Sequence, residues 1–142
     1  MASIITFPMA SSAVTPTSYD FSSTSSTPWT AKNTNGSTSK SAYTQLIAST
    51  TRATTWIYGV AVCTNGDSVN ESGIIFIATG GAGSESDKAY IPIIVQSTSY
   101  NTVIPFAFQL SIAISTRIAW ALQYEDNRAA QSARLWLGLG QP

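Results

Sequence analysis

The chain has 142 residues, seven basic and seven acidic side chains, no histidine and one cysteine. That length fits one domain; without imidazole there is no His-based triad or His-ligated metal, and a single cysteine closes no internal disulfide. Zero net charge with scattered Lys and Arg argues against nucleic acid as a partner, and no apolar run approaches the roughly 18–20 residues of a membrane helix.

Composition changes near residue 40. Residues 1–40 carry Asp20, Lys32 and Lys40 as their charged side chains, and Ser22-Ser23-Thr24-Ser25-Ser26-Thr27 is a low-complexity run. Pro8, Pro16 and Pro28 punctuate the stretch, which reads as a linker or tail. Yet Ile4, Ile5, Phe7, Met9, Val14, Tyr19, Phe21 and Trp29 are spaced along it, and a solvated tail needs no Phe or Trp. Ordering such an arm costs on the order of 40–80 kcal/mol of backbone entropy. Its apolar side chains return about 16–24 kcal/mol if fully buried. An ordered arm therefore requires a further surface: its own domain, a neighbouring copy or another protein. Ile4, Ile5 and Phe7 are its densest apolar cluster; with Phe21 and Trp29 they are the candidate interface residues of the arm.

Residues 41–142 form the expected domain. Gly, Asn, Asp, Ser and Pro recur between short apolar runs, the pattern of an all-β chain. Tyr43, Leu46 and Ile47, within 42–48, fit a helical turn as well as a strand. Thr54–Cys63 reads as a central strand, because Trp56, Tyr58, Val60 and Val62 on one face and Ile57, Gly59, Ala61 and Cys63 on the other are both apolar. Asn65-Gly66-Asp67 signals a turn. Gly73–Thr79 is a short apolar strand, broken by Gly80-Gly81-Ala82-Gly83, with Ser84–Lys88 as polar loop. Ala89–Val95 is a strand, and Pro92 suggests an edge or bulge. Ile104, Phe106, Phe108, Leu110, Ile112 and Ile114 alternate without a miss, a strong period-2 signal for one buried face. After a Ser115-Thr116 turn, Ile118, Trp120, Leu122 and Tyr124 point inward, with Arg117, Ala119, Ala121 and Gln123 outward. Glu125–Arg128 is a charged turn. Ala133–Leu139 puts Leu135, Leu137 and Leu139 on one face. Six or seven strands, with one more from the arm, give a single jelly-roll-like β-sandwich and an extended N-terminal arm.

Candidate chemistry is sparse. Glu85 with Asp87 and Glu125 with Asp126 are acidic pairs that could serve glycoside hydrolysis, but they fall at turns and read as solvated. Asp67, Glu71 and Asp87 could supply oxygen ligands to Ca²⁺, without EF-hand spacing. Gly80–Ser84 lacks the Gly-Lys-Ser/Thr ending of a phosphate loop, and no helical pattern follows it. Cys63 lies within a strand pattern and reads as a small buried hydrophobe. Trp56 and Trp120 fall on core-like faces, whereas Trp136 lies opposite the three leucines and marks a contact surface. No catalytic residue, cofactor or metal is expected.

Two stretches carry a resemblance: Gly73-Ile74-Ile75-Phe76-Ile77-Ala78-Thr79-Gly80-Gly81-Ala82-Gly83-Ser84-Glu85, and Ile114-Ser115-Thr116-Arg117-Ile118-Ala119-Trp120-Ala121-Leu122-Gln123. With Ile91-Pro92-Ile93 between them, they resemble small tailed-phage virion proteins. In these, an apolar strand ending in Gly-Ala-Gly-Ser-Glu precedes a Gly/Ser-Thr-Arg-Ile-Ala strand. The chain departs from the pattern at Ala113-Ile114-Ser115, where Pro-Ala-Gly is usual. The resemblance spans roughly residues 56–139 and leaves the arm outside. It implies a non-enzymatic β-sandwich of the virion, made in the host cytoplasm: a capsid decoration (cement) protein, or a tail, neck or fibre module. The expected partners are the major capsid protein or other virion subunits and further copies of the chain, with no nucleic acid or membrane. Low charge and abundant Ser/Thr suit a surface covered in a permanent assembly. A carbohydrate-binding jelly roll is the alternative from a different class.

Overall fold

The computed structural model describes residues 17–21, 39–64, 70–96, 102–125 and 132–141. Within them lie eight strands: β1 (Thr17–Phe21), β2 (Thr44–Ile47), β3 (Thr54–Thr64), β4 (Glu71–Thr79), β5 (Ser86–Val95), β6 (Thr102–Ile112), β7 (Ile118–Tyr124) and β8 (Ser132–Gln141). Sheet one has the order β1-β8-β3-β6 and sheet two the order β2-β7-β4-β5. Every pairing is antiparallel. Among consecutive strands, β4 and β5 alone lie side by side; the other connections cross between sheets. This is the jelly-roll form of the sandwich, as the strand pattern implies. No helix among the described residues is long and apolar enough to cross a membrane.

The core follows from period-2 alternation. Ile57, Ala61 and Cys63 of β3 and Leu135, Leu137 and Leu139 of β8 face Ile75 and Ile77 of β4 and Ile118, Trp120, Leu122 and Tyr124 of β7, all essentially inaccessible to water. The inward faces expected for 118–124 and for the three leucines are those observed. For β3, where both faces are apolar, the structure selects the Ile57–Cys63 set. Trp56 is consequently half-buried on the outer face rather than in the core.

Four further expectations change. Residues 44–47 form a strand, because β2 pairs with β7 (Thr44 opposite Trp120) and backbone bonding decides what periodicity left open. Strand β5 begins at Ser86, within the stretch expected as loop, since Ser86 pairs with Thr79 and Asp87 with Ala78. Strand β6 is an edge strand, so Ile104, Phe106, Phe108 and Leu110 pack against the core but stay half-buried. Ile114 leaves the alternation for an exposed turn at Ile114 and Ser115, where Ser115 has φ 59°. Thr50 pins that turn: its buried hydroxyl donates to Ala113 O at 2.8 Å and accepts from Thr116 N at 3.0 Å. Both Pro92 in β5 and Pro105 in β6 sit on edge strands, where a missing N–H on the solvent side is tolerated.

Strand β1 falls inside the stretch read as an arm and joins sheet one, with Thr17 opposite Gln141 and Phe21 opposite Gly138. Of the candidate interface residues, Ile4, Ile5, Phe7 and Trp29 lie outside the described residues. So do Asn65-Gly66-Asp67 and residues 126–130.

Leu137→Ala, at a fully buried central position, should cost about 2–5 kcal/mol. Phe106→Ala should cost less than the roughly 3–5 kcal/mol of a fully buried Phe, because its edge strand leaves it partly wet. Urea denaturation of the two variants checks the order.

Candidate functional site

The outer face of sheet one is built by register. Trp136, Val60 and Pro105 form one cross-strand row, and Gly138, Tyr58 and Ala107 the next. Val62 and Val103 extend it at one end and Trp56 at the other. Among the outward positions of β3, β6 and β8, Arg134 is the charged residue. Trp136 meets Tyr58 edge-to-face, with centroids 5.9 Å apart and planes at 61°. The contact needs Gly138, where a Cβ would stand 2.6 Å from the Tyr58 ring. Burial pushes the Tyr58 hydroxyl pKa above its usual value. Beside the two rings lies a shallow groove of about 210 Å³ whose lining includes Tyr58, Val60, Pro105, Ala107 and Trp136.

The outer face of sheet two divides in two. At one end Ile74, Pro92 and Ile94 lie on neighbouring outward positions, Tyr90 stands beside them, and all four are exposed; Ile94 reaches 68% and Tyr90 61%. An antiparallel sheet in water normally carries polar residues there. At the other end Ala78, Ala119 and Ala121 point outward yet have no exposure. Two ionic clusters reach across that end.

In the first cluster, Lys40 Nζ donates to Tyr43 Oη at 2.6 Å and to Asp87 Oδ2 at 2.7 Å, and Tyr43 Oη donates to Asp87 Oδ1 at 2.5 Å. The ammonium lies 4.6 Å from the Phe76 ring centroid and 4.8 Å from that of Tyr43, a cation–π pairing with both. Burial opposes ionisation of Asp87, but the bonds from Lys40 and Tyr43 outweigh it and hold its pKa below normal. In the second cluster, Arg117 Nη1 bonds Glu85 Oε1 at 2.8 Å and Gly80 O at 3.1 Å, while Nε reaches Gln45 Oε1 at 3.0 Å. Glu85 Oε2 also accepts from Gly83 N at 2.9 Å. Burial pushes the Glu85 pKa up; bonds from backbone amides and from Arg117 outweigh this and hold it low. Gly80 (φ 124°) and Gly83 (φ 82°) supply the left-handed turn that places Glu85 there.

These clusters revise the reading of Glu85 and Asp87 as free turn acids. Each is bound to a cation from a distant strand or loop. Arg117 and Glu85 also join the two stretches that carry the resemblance. Their partnership has no local sequence signal, because 32 positions separate them. Of the remaining candidates, Glu125 accepts a hydrogen bond from Ser72, and Glu71 is buried. Among the described residues no three His, Cys, Asp or Glu side chains gather into a metal site. Cys63 is inaccessible, and its thiol is pushed up to about 11 by burial, against a bond to Tyr124. Trp136 is on the outer face, as its position opposite the leucines implies, but half-buried. Phe21 is placed by its backbone at the β8 edge of the same sheet.

No family model and no curated protein matches the chain. A solved structure of infectious bursal disease virus, Gt strain, is similar at 14% identity with a TM-score of 0.47, over 99% of this chain. The chain spans 36% of that viral chain.

Glu85 and Asp87 have folded-state pKa values below their ordinary 4.5 and 3.8. Their stabilisation is therefore complete above those ordinary values and is lost as pH falls through the lowered ones. The thermal midpoint should hold from neutral pH down to about 5 and then drop. Glu85→Gln should lower the neutral-pH midpoint and flatten the acid limb; thermal melts between pH 2 and pH 7 check both.

Proposed function

We propose that this chain is a non-enzymatic structural protein of a virus particle, and specifically a capsid decoration protein of a tailed phage. In this reading it coats the outside of the assembled shell, is made in the host cytoplasm, and contacts the major capsid protein and further copies of itself. The observation that carries the reading is that both outer faces of the sandwich bear apolar rows, half-buried to exposed on sheet one and exposed on sheet two. Trp136, Val60, Pro105 and Val103 lie on one face and Ile74, Tyr90, Pro92 and Ile94 on the other. A free-standing sandwich keeps its outer faces polar, and patches of this kind mark contact sites. Two further supports are the virion-protein resemblance of the 73–85 and 114–123 stretches and a fold that capsid domains share with lectins. Fold alone does not choose between those two.

A tail or fibre module would use the same faces. A sugar-binding platform is less well served, because Tyr58 and Trp136 meet at 61° and offer a saccharide no common plane. The deciding experiment is co-sedimentation of the purified chain with shells assembled without it. Binding that saturates at a fixed ratio is expected; binding to tail structures alone, or to glycans alone, refutes the decoration role. Trp136→Asp or Ile94→Asp should weaken shell binding at least about tenfold if its row is an interface anchor, with the thermal midpoint little changed for the exposed Ile94.

A further inference from the structure

We propose that the outer face of sheet one docks, head to tail, on the outer face of sheet two of a second copy of the chain, with Arg134 of one molecule against Glu125 of the next. The inference rests on the assembly reading above and deepens it by naming which face of one copy meets which face of another. Three observations select this occupant.

The first is charge. On sheet one, Arg134, Val62 and Val103 form a row from β8 through β3 to β6 at one end of the outer face. On sheet two, Ser72 lies opposite Ile94, and Glu125, just past β7, donates its backbone N–H to Ser72 O, so these three form an end row from β7 through β4 to β5. Each row thus carries one charge at its β8 or β7 end and an exposed apolar side chain at its edge strand. Arg134 and Glu125 are both exposed, their signs are opposite, and neither has an ion pair among the described residues. Lys40, which lies over Phe76 two rows further along, is already paired with Asp87.

The second is orientation. Within one molecule β6 packs beside β5 at one edge and β1 beside β2 at the other. Cys63 in β3 bonds Tyr124 in β7, so the Arg134 row and the Glu125 row lie at the same end of the sandwich. A second copy stacked in the same orientation therefore sets its β7, β4 and β5 over the first copy's β8, β3 and β6, end matched to end. Glu125 then falls over Arg134, and Ile94 over Val103. Sheets packed face to face cross at about 30°, an offset that the long Arg134 side chain spans. The two faces lie on opposite sides of the dry core, so a single chain cannot bring them together.

The third is relief. Two rows beyond Ile94 stands Tyr90, 61% exposed, and two rows beyond Val103 stands Ala107, a small residue in the groove of about 210 Å³. The same stacking places the Tyr90 ring over that groove, ridge against hollow. The matched rows span roughly 10 by 14 Å between backbone positions, well under the roughly 800 Å² per partner of a stable complex. The contact is therefore weak between free molecules, and, being head to tail, it does not close on two copies.

The test uses full-length chains with one added cysteine each, Ile94→Cys or Val103→Cys, both at exposed positions. The native Cys63 is fully buried and does not compete. A short bis-maleimide, matched to the roughly 10 Å between packed sheets, captures the contact, and peptide mapping identifies the product. Mixing the two variants should give a 94–103 linkage well above the 94–94 and 103–103 products. Adding Arg134→Glu to the Val103→Cys chain should cut the 94–103 yield about tenfold. Adding Glu125→Arg to the Ile94→Cys chain as well should restore it, with circular dichroism unchanged throughout. Absence of the 94–103 product, predominance of either same-site product, or failure of the second charge reversal to restore the yield overturns the proposal. Shell binding is measured in parallel. A 94–103 product without shell binding counts against the decoration role alone, and shell binding without that product counts against this inference alone.

Discussion

The dry layer between the two sheets governs the rest of the molecule. Ile57 and the leucines of β8 from one side, and Ile75, Ile77, Trp120 and Leu122 from the other, leave no route for water. Such a layer is close-packed, so each side chain's position constrains its neighbours. Period-2 geometry then determines what points outward: once Ile57, Ala61 and Cys63 face in, Trp56, Tyr58, Val60 and Val62 must face out. The apolar outer surface of sheet one is thus a direct consequence of how the core is filled, given a strand that is apolar on both sides.

Sheet two handles its outer face differently. At one end it carries Ala78, Ala119 and Ala121, which point outward without exposure, and long side chains from the edges reach across that end. Lys40 and Tyr43 reach from the segment before β2 to Asp87 on β5, and Arg117 reaches from the start of β7 to Glu85 and Gly80. Both ion pairs are largely shielded, the Arg117–Glu85 pair more than the Lys40–Asp87 pair. A neutral hydrocarbon could fill the same space, but removing one partner of such a pair leaves a poorly solvated charge. The arrangement therefore secures the β4–β5 turn and the entry to β2 in one register. The opposite end of this face has no such cover.

The strands were legible wherever one face alone was apolar. Residues 118–124 and 133–139 alternate cleanly, which makes their inward sets unambiguous. In strand β3 both sets are apolar, so period 2 locates the strand but not its inside, and Trp56 carries no mark in the sequence of lying on the outer face. Strand β6 was readable as a strand but not as an edge, since position within a sheet is a property of topology and leaves no mark beyond Pro105. Strand β2 is too short, at four residues, for periodicity to speak. The ionic clusters were hidden more deeply. Glu85 and Asp87 look like any turn acids, and nothing near them in sequence announces Arg117 or Lys40. The outer-face tryptophan was recoverable because Leu135, Leu137 and Leu139 define the inside and leave Trp136 one direction to point.

The strand order also constrains how the molecule comes into being. Strand β8 is the last of the eight to be synthesised, yet it lies between β1 and β3. Until it is made, β1 has no partner in its sheet and β3 keeps one side open, with the apolar rows of both faces bare. A nascent chain therefore cannot close sheet one strand by strand as it leaves the ribosome; it must hold an unfinished sheet and accept its missing strand at the end. Such late, long-range pairing is slow compared with hairpin growth. It leaves open edges exposed to other chains for as long as it lasts. With 10% of residues charged, those edges have little electrostatic repulsion to keep other chains away.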